Sequence, residues 1–279
     1  MRGAIAFASG KGGVGKTALC INIAAAMAMT GRKVGIIDAD LNSPAVMAMM
    51  GMRVKRRFTM TEAIESTAGP LGMRIVSSAL IADGEPAPIS FIEAEDGTDV
   101  AALNGSGPTE ISYGGALARL LGCQGLDALD AVLIDLAAGA EQLHSAAQTI
   151  ALGGAIFVTQ SSEVSWRATR SAIRIAVADN VHVMGIIENM AGFNCDSCHA
   201  IRPLMPRGDG AGMAEEDGVR ILARLPFDPR LAETCDRGTI FVREYADAPL
   251  AKQIVELARG IEREIEAGRA RAAAPALEA

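Results

Sequence analysis

The sequence predicts an α/β fold, a mostly parallel sheet of about seven strands with helices on both faces. Three observations carry that expectation. Short apolar runs alternate with helical patterns along most of the 279 residues. The first run leads directly into a glycine-rich loop, Gly10-Lys11-Gly12-Gly13-Val14-Gly15-Lys16-Thr17. Acids then stand at the ends of two later runs, Asp38 and Asp40 after one and Asp135 in the other, where an open parallel sheet forms its ligand crevice.

The first strand is Ala4 to Ala8. In the loop after it, glycines let the backbone curl so that successive N–H groups point inward, and the helix starting at Lys16 adds its positive end at the same point. The spacing Gly-x4-Gly-Lys-Thr is that of a phosphate-binding loop. Gly10, Gly12, Gly13, Val14, Gly15, Lys16, Thr17 and Ala18 are therefore the expected nucleotide contacts, with Lys16 meeting the β and γ phosphates and Thr17 offering its hydroxyl to Mg²⁺. Ala18 to Thr30 reads as a helix ended by Gly31, which suits a left-handed cap. Further strands are expected at Val34 to Asp38, Arg74 to Ser77, Ala131 to Leu136, Ala155 to Thr159, Val183 to Glu188 and Arg220 to Leu225. Asp40 has two readings, a helix cap or an acid facing the phosphates. From Ala82 to Ser112 no period holds, which predicts a loop, a mobile segment or an insertion. Leu250, Ile254, Leu257, Ile261 and Ile265 recur at helical spacing, giving an amphipathic helix. Its polar face mixes Glu256, Glu262, Glu264 and Glu266 with arginines, which favours packing on the core over a membrane surface. One nucleotide-binding domain is expected over 1–271, with an alanine-rich, disordered tail over 272–279.

Half of the residues are hydrophobic, enough for a well-buried core. No apolar run approaches the roughly 18 residues of a membrane span, and no signal peptide precedes the first strand, so a cytoplasmic location is expected. The net charge of -7 argues against a general nucleic-acid binder. Arg167, Arg170 and Arg174 on one helix face, and Lys55, Arg56 and Arg57, read as solvated. Five cysteines form no disulfide framework. Cys20 and Cys123 read as small apolar fillers, and Cys235 carries no assigned role. Cys195-Asp196-Ser197-Cys198 is different, because its spacing lets two thiolates bind one metal centre.

Lys11 follows the first loop glycine, a place where a single subunit needs no basic residue to hold phosphate. Lys-Gly-Gly-Val-Gly-Lys-Thr, residues 11–17, resembles the deviant Walker A motif of the MinD/ParA class of P-loop ATPases, whose extra lysine reaches the nucleotide of the partner subunit. The resemblance implies ATP held between two protomers. Asp38-Ala39-Asp40-Leu41-Asn42-Ser43-Pro44 resembles the switch I of that class, in which the second aspartate, here Asp40, positions the attacking water. Asp135-Leu136-Ala137-Ala138-Gly139 resembles switch II. There the aspartate supports Mg²⁺ through water and the glycine N–H, here of Gly139, meets the γ phosphate. Lys11, Lys16 and Asp40 are thus the implied catalytic residues. The class usually has prolines where this chain has Ala137 and Ala138, and glycine where it has Ser43. Looser switches raise the entropy lost on ordering, so slow ATP hydrolysis is expected.

Glu188-Asn189-Met190, followed by Phe193-Asn194-Cys195-Asp196-Ser197-Cys198, resembles the Mrp/ApbC branch of this class, the iron-sulfur cluster carriers. The resemblance implies that Asn189 approaches the adenine. It also implies that Cys195 and Cys198 of two subunits hold a [4Fe-4S] cluster bridging a homodimer, for delivery to apo iron-sulfur proteins. Four thiolates are what such a cluster takes, and a two-fold dimer supplies them. Zinc in a closed tetrahedral site, a redox disulfide and unligated thiols are the alternatives for the same pair, with His199 a further candidate ligand. Asp196 stands where the family commonly has proline. A MinD/ParA-type positioning ATPase, acting by nucleotide-dependent dimerisation, is the competing function.

Overall fold

The computed structural model describes residues 4–54, 58, 63–80, 90–93, 99–102, 113–123, 125, 126, 128–194, 200–206 and 208–273. It opens with β1 (Ala4–Ala8), buried along its whole length, as a strand covered on both faces must be. Helix α1 (Lys16–Met29) starts at Lys16, two residues before Ala18, because Gly15 at φ 86 turns the loop straight into the helical axis. Thr30 caps its end, and Gly31 takes the left-handed position after it, at φ 89. From Leu19 to Met27 every residue is buried. Asn22, deep in this apolar stretch, is satisfied from both sides: its amide nitrogen donates to Ala18 O at 2.9 Å, and its oxygen accepts from Val242 N–H at 3.0 Å.

The chain continues through β2 (Val34–Ala39), α2 (Val46–Met49), β3 (Thr67–Ala68) and β4 (Arg74–Ser77). Next come β5 (Ser90–Glu93), β6 (Asp99–Ala102), α3 (Tyr113–Leu121), β7 (Ala131–Leu136), α4 (Ala140–Thr149) and β8 (Leu152–Thr159). The last part comprises α5 (Glu163–Ala178), β9 (Val183–Glu188), β10 (Phe193–Asn194), β11 (Ile201–Arg202), α6 (Gly210–Glu216), β12 (Ile221–Arg224), α7 (Pro229–Arg237), α8 (Phe241–Glu244) and α9 (Pro249–Ala273).

Eight strands form the main sheet, in the order β12-β9-β8-β1-β7-β2-β4-β3. The α/β class is as predicted, and all seven expected strands are present. The eighth, β3, is antiparallel to β4 at the edge; two residues are too few to show a period. The remaining neighbours run parallel. β1 lies between β7 and β8, so the strand order departs in two directions from it, and the loop after β1 opens at that switch point. Register sets Asp38 and Asp135 side by side on β2 and β7, and Phe7 beside Asp135 on β1.

Two expectations are corrected. The stretch 82–112 contains regular structure, since β5 and β6 pair antiparallel from Ser90↔Ala102 to Glu93↔Asp99; four-residue strands amid glycine and acid residues give no legible alternation. α9 continues to Ala273, two residues into the stretch expected as a tail, and 274–279 lie outside the described residues. Leu250, Ile254, Leu257, Ile261 and Ile265 are all buried, as the helical spacing required, and α9 packs on α1. Among the described residues no helix is long and apolar enough to cross a membrane.

Candidate functional site

The loop after β1 folds into a nest. Gly13 and Gly15 have φ 76 and 86, a region that costs glycine nothing and other residues strain. Gly10 packs so closely on α5 that a Cβ there would lie 2.2 Å from the Ala168 carbonyl carbon. Gly12 is exposed, while Val14 is buried against the core. The backbone N–H groups of residues 11–18 donate to no protein acceptor among the described residues. Four carbonyls around the loop, by contrast, are taken: Ser9 O by Gly139 N–H at 2.9 Å, Gly13 O by Gln160 Nε2 at 3.3 Å, Val14 O by Asn189 Nδ2 at 2.9 Å and Gly15 O by Leu19 N–H at 3.0 Å. Donors are thus left open around the loop and the first turn of α1, an arrangement that receives an anion.

Asp135 closes the floor of this nest. Lys16 Nζ reaches its Oδ1 at 2.5 Å and Thr17 Oγ1 donates to its Oδ2 at 2.7 Å. Burial raises the Asp135 carboxyl above its ordinary range, against the opposing charge and hydrogen bond of Lys16 and the Thr17 hydroxyl. Asp38, one strand away, is pushed up to about 7, first by burial and then by the charge of Asp135. Its Oδ2 accepts from Val46 N–H and Ser77 Oγ, both at 3.0 Å. Its Oδ1 and the Ser9 hydroxyl are buried and find no partner among the described residues. Two raised carboxyls beside orphaned oxygens describe a place short of positive charge, which fits a hydrated divalent cation.

The two readings of Asp40 separate here. Its Oδ1 accepts from Ser43 N–H at 3.0 Å, a local turn three residues on. The N–H at the start of α2 goes to Asp38 instead, so capping falls to the buried acid and Asp40 stays at the surface of the crevice. Lys11 is half-buried and makes no ion pair among the described residues. Gly139, at φ 111, has its N–H on Ser9 O, not open to the nest as the resemblance implied.

Gln160, Ser77 and Ser9 belong to the site but were not singled out from the sequence. Each stands at or just beyond the carboxyl end of a central strand, and that position was the available signal. Asn189 is 2% exposed and binds the loop backbone, next to Met190 in the left-handed region at φ 55. The chain then runs by Ala191 N–H to Leu225 O and Phe227 N–H to Gly192 O into β10. β10 and β11 pair antiparallel, Phe193↔Arg202 and Asn194↔Ile201, and so bracket the cysteine motif. Cys195, Cys198 and His199 themselves lie outside the described residues, as do Lys55, Arg56 and Arg57. Cys20 is fully buried and Cys123 buried, and burial raises both thiols, the second to about 11; as fillers they stay protonated. On α5, Arg167 and Arg174 are exposed as expected, Arg167 pairing with Glu163 one turn away, whereas Arg170 departs from the solvated reading and turns to Glu216 at the end of α6 and to Asp217 just after it.

Comparisons with known proteins agree with this geometry. The model of the ParA family described as NUBPL iron-transfer P-loop NTPase matches residues 1–95 and 107–262. An iron-sulfur cluster carrier protein of Saccharolobus solfataricus is 35% identical over 256 residues, covering 91% of this chain and 81% of that protein. One from Methanocaldococcus jannaschii is 34% identical, covering 92% and 85%. Among solved structures, a nucleotide-binding protein of Archaeoglobus fulgidus in complex with ADP superposes with a TM-score of 0.65 at 27% identity, over 89% of each chain. The MinD protein of Pyrococcus horikoshii with Mg-ADP shares the fold at TM-score 0.65 and 20% identity, over 96% of this chain and 99% of that one. An open-donor nest over two buried acids, in a sheet of this order and with this family match, makes the chain a member of the NUBPL iron-transfer P-loop NTPases of the ParA class.

Proposed function

We propose that this protein is an ATP-binding, slowly hydrolysing dimeric carrier that receives an iron-sulfur cluster on Cys195 and Cys198 and passes it to apo-proteins. The observation that carries the reading is the run of chain from Asn189 to β10, which ties the nucleotide loop to the strands bracketing the cysteine pair. The family match and the names of the relatives support the cargo.

In this reading the open N–H groups of residues 11–18 receive the phosphates. Lys16 moves from Asp135 to the β and γ oxygens, a charge-assisted contact replacing an ion pair. Thr17 would hold magnesium through its hydroxyl and Asp135 through water, and Asp38 Oδ1 would be free to accept from the ion's hydration water. Bound magnesium supplies charge neutralisation on the phosphates. Asp40, at the crevice surface, orients the attacking water, and Lys11 extends to the nucleotide of a second copy. Gly139 N–H must leave Ser9 O before it can donate to a γ phosphate. That exchange, together with Ala137 and Ala138 in place of stiffening prolines, raises the ordering cost by about 0.4 to 1 kcal/mol per missing proline. Binding is retained and hydrolysis is slow.

Anaerobic reconstitution with iron and sulfide tests the cargo, with absorption spectra and metal content recorded for the wild type and the Cys195→Ala, Cys198→Ala double variant. One cluster per dimer, absent from the variant, is expected. Stoichiometric zinc without iron, or no metal, refutes the carrier. ATP turnover at the rate of fast P-loop enzymes refutes the slow hydrolysis.

A further inference from the structure

Gln160 follows β8 directly and is 8% exposed. Its Nε2 has two contacts, Gly13 O at 3.3 Å and Met190 Sδ at 3.2 Å. Both are acceptors, so the amide must present its NH₂ there. A loop that turns its N–H groups toward an anion turns its carbonyls the other way, and those carbonyls, with a buried side chain against them, need donors. Three of the four held carbonyls are served by residues with evident roles: Ser9 O by Gly139, Val14 O by Asn189 and Gly15 O by the first turn of α1. For Gly13 O the one protein donor among the described residues is Gln160. That carbonyl belongs to the residue at φ 76, where the peptide unit following glycine is free to flip. A flip would point a carbonyl into the nest and replace a donor with a repelling oxygen.

We propose that Gln160 is a positioning residue for phosphate binding, holding the Gly13–Val14 peptide with its N–H toward the ligand. Together with Asn189 it forms a pair of amide clamps, from the ends of β8 and β9, on successive carbonyls of one loop. The contact of the same nitrogen to Met190 Sδ, a weak acceptor, adds a second reason for the NH₂ to face this side. This inference rests on the nucleotide-binding reading above.

The test is ATP affinity by calorimetry for the wild type, Gln160→Met and Gln160→Glu, with thermal melting of each nucleotide-free protein as the folding control. Gln160→Met keeps the volume and removes the donor; loss of one neutral hydrogen bond predicts roughly 3- to 10-fold weaker binding. Gln160→Glu presents an acceptor to Gly13 O when ionised and a donor when protonated. Its affinity relative to the wild type is therefore expected to be lower at pH 8.5 than at pH 4.5, which lies in the carboxyl's own titration range, a response that a merely structural defect does not produce. A wild type that binds while Gln160→Met binds within twofold of it overturns the inference and leaves the nucleotide reading intact. So does a Gln160→Glu ratio that is the same at both pH values. A wild type that binds no ATP overturns the nucleotide reading itself.

Discussion

Replacing Asp38 by asparagine tests the electrostatics of the site without reference to any ligand. Asp38 is completely buried, and burial with the neighbouring charge of Asp135 raises its carboxyl from 3.8 to about 7. Between those values the folded chain keeps a proton that the unfolded chain has lost. Stability therefore falls as pH rises through this window, and the loss is complete above pH 7. At about 1.36 kcal/mol per pH unit the full effect is about 4 kcal/mol, of which about 1.7 kcal/mol is already lost at pH 5. Asp38→Asn removes the titration, keeps an oxygen for Val46 N–H and Ser77, and places an NH₂ donor where Oδ1 now lacks a partner. In urea titrations the variant's stability relative to the wild type is expected to improve by about 2.5 kcal/mol between pH 5 and pH 8. On the proposed function, the same variant should also lose Mg-dependent ATP turnover, since the acid that destabilises the fold is the one that would face the cation. A difference between variant and wild type that is constant with pH, or that shrinks as pH rises, would refute this account of Asp38.

Other consequences are independent of that one. Lys16→Ala removes a charge-assisted phosphate contact worth about 1.5 to 3 kcal/mol, so ATP affinity should fall roughly 10- to 150-fold by calorimetry, while iron uptake on the cysteine pair persists. Gly10→Ala forces a Cβ against the α5 backbone at Ala168; a loss of about 1 to 3 kcal/mol in urea is expected, and a change below about 0.5 kcal/mol would show that the loop and α5 separate easily. Asn22→Ala strands the Val242 N–H in the core, with an expected cost of about 1 to 3 kcal/mol and early amide exchange at Val242.

Fold and loop were legible because each is written locally. An apolar strand needs only consecutive residues such as Ala4 to Ala8, a phosphate loop only glycines at fixed offsets before Lys16 and Thr17, and α9 only Leu250, Ile254, Leu257, Ile261 and Ile265 one turn apart. The family likeness was likewise carried by short runs, residues 11–17, 38–44 and 188–198, which the family match and the carrier-protein relatives then joined. β3, β5 and β6 were missed for the complementary reason: β3 is too short to display a period, β5 and β6 lie amid glycine and acids in a stretch where no period holds, and only their pairing partners make them strands.

The site's working parts divide along the same line. Sequence alone named Asp38, Asp40 and Asp135 as crevice acids, since strand ends line the crevice whatever the rest of the fold does. It could not say that Asp38, not Asp40, would receive the α2 N–H and be left with an oxygen unpartnered among the described residues, because that depends on where Val46 of α2 and Ser77 of β4 arrive. Nor could it assign Gln160 or the grip of Asn189 on Val14 O, which join residues 147 and 175 positions apart. Periodicity and spacing act over a few residues, whereas burial, charge coupling and the satisfaction of a carbonyl are decided by whatever the packed sheet brings within about 3 Å.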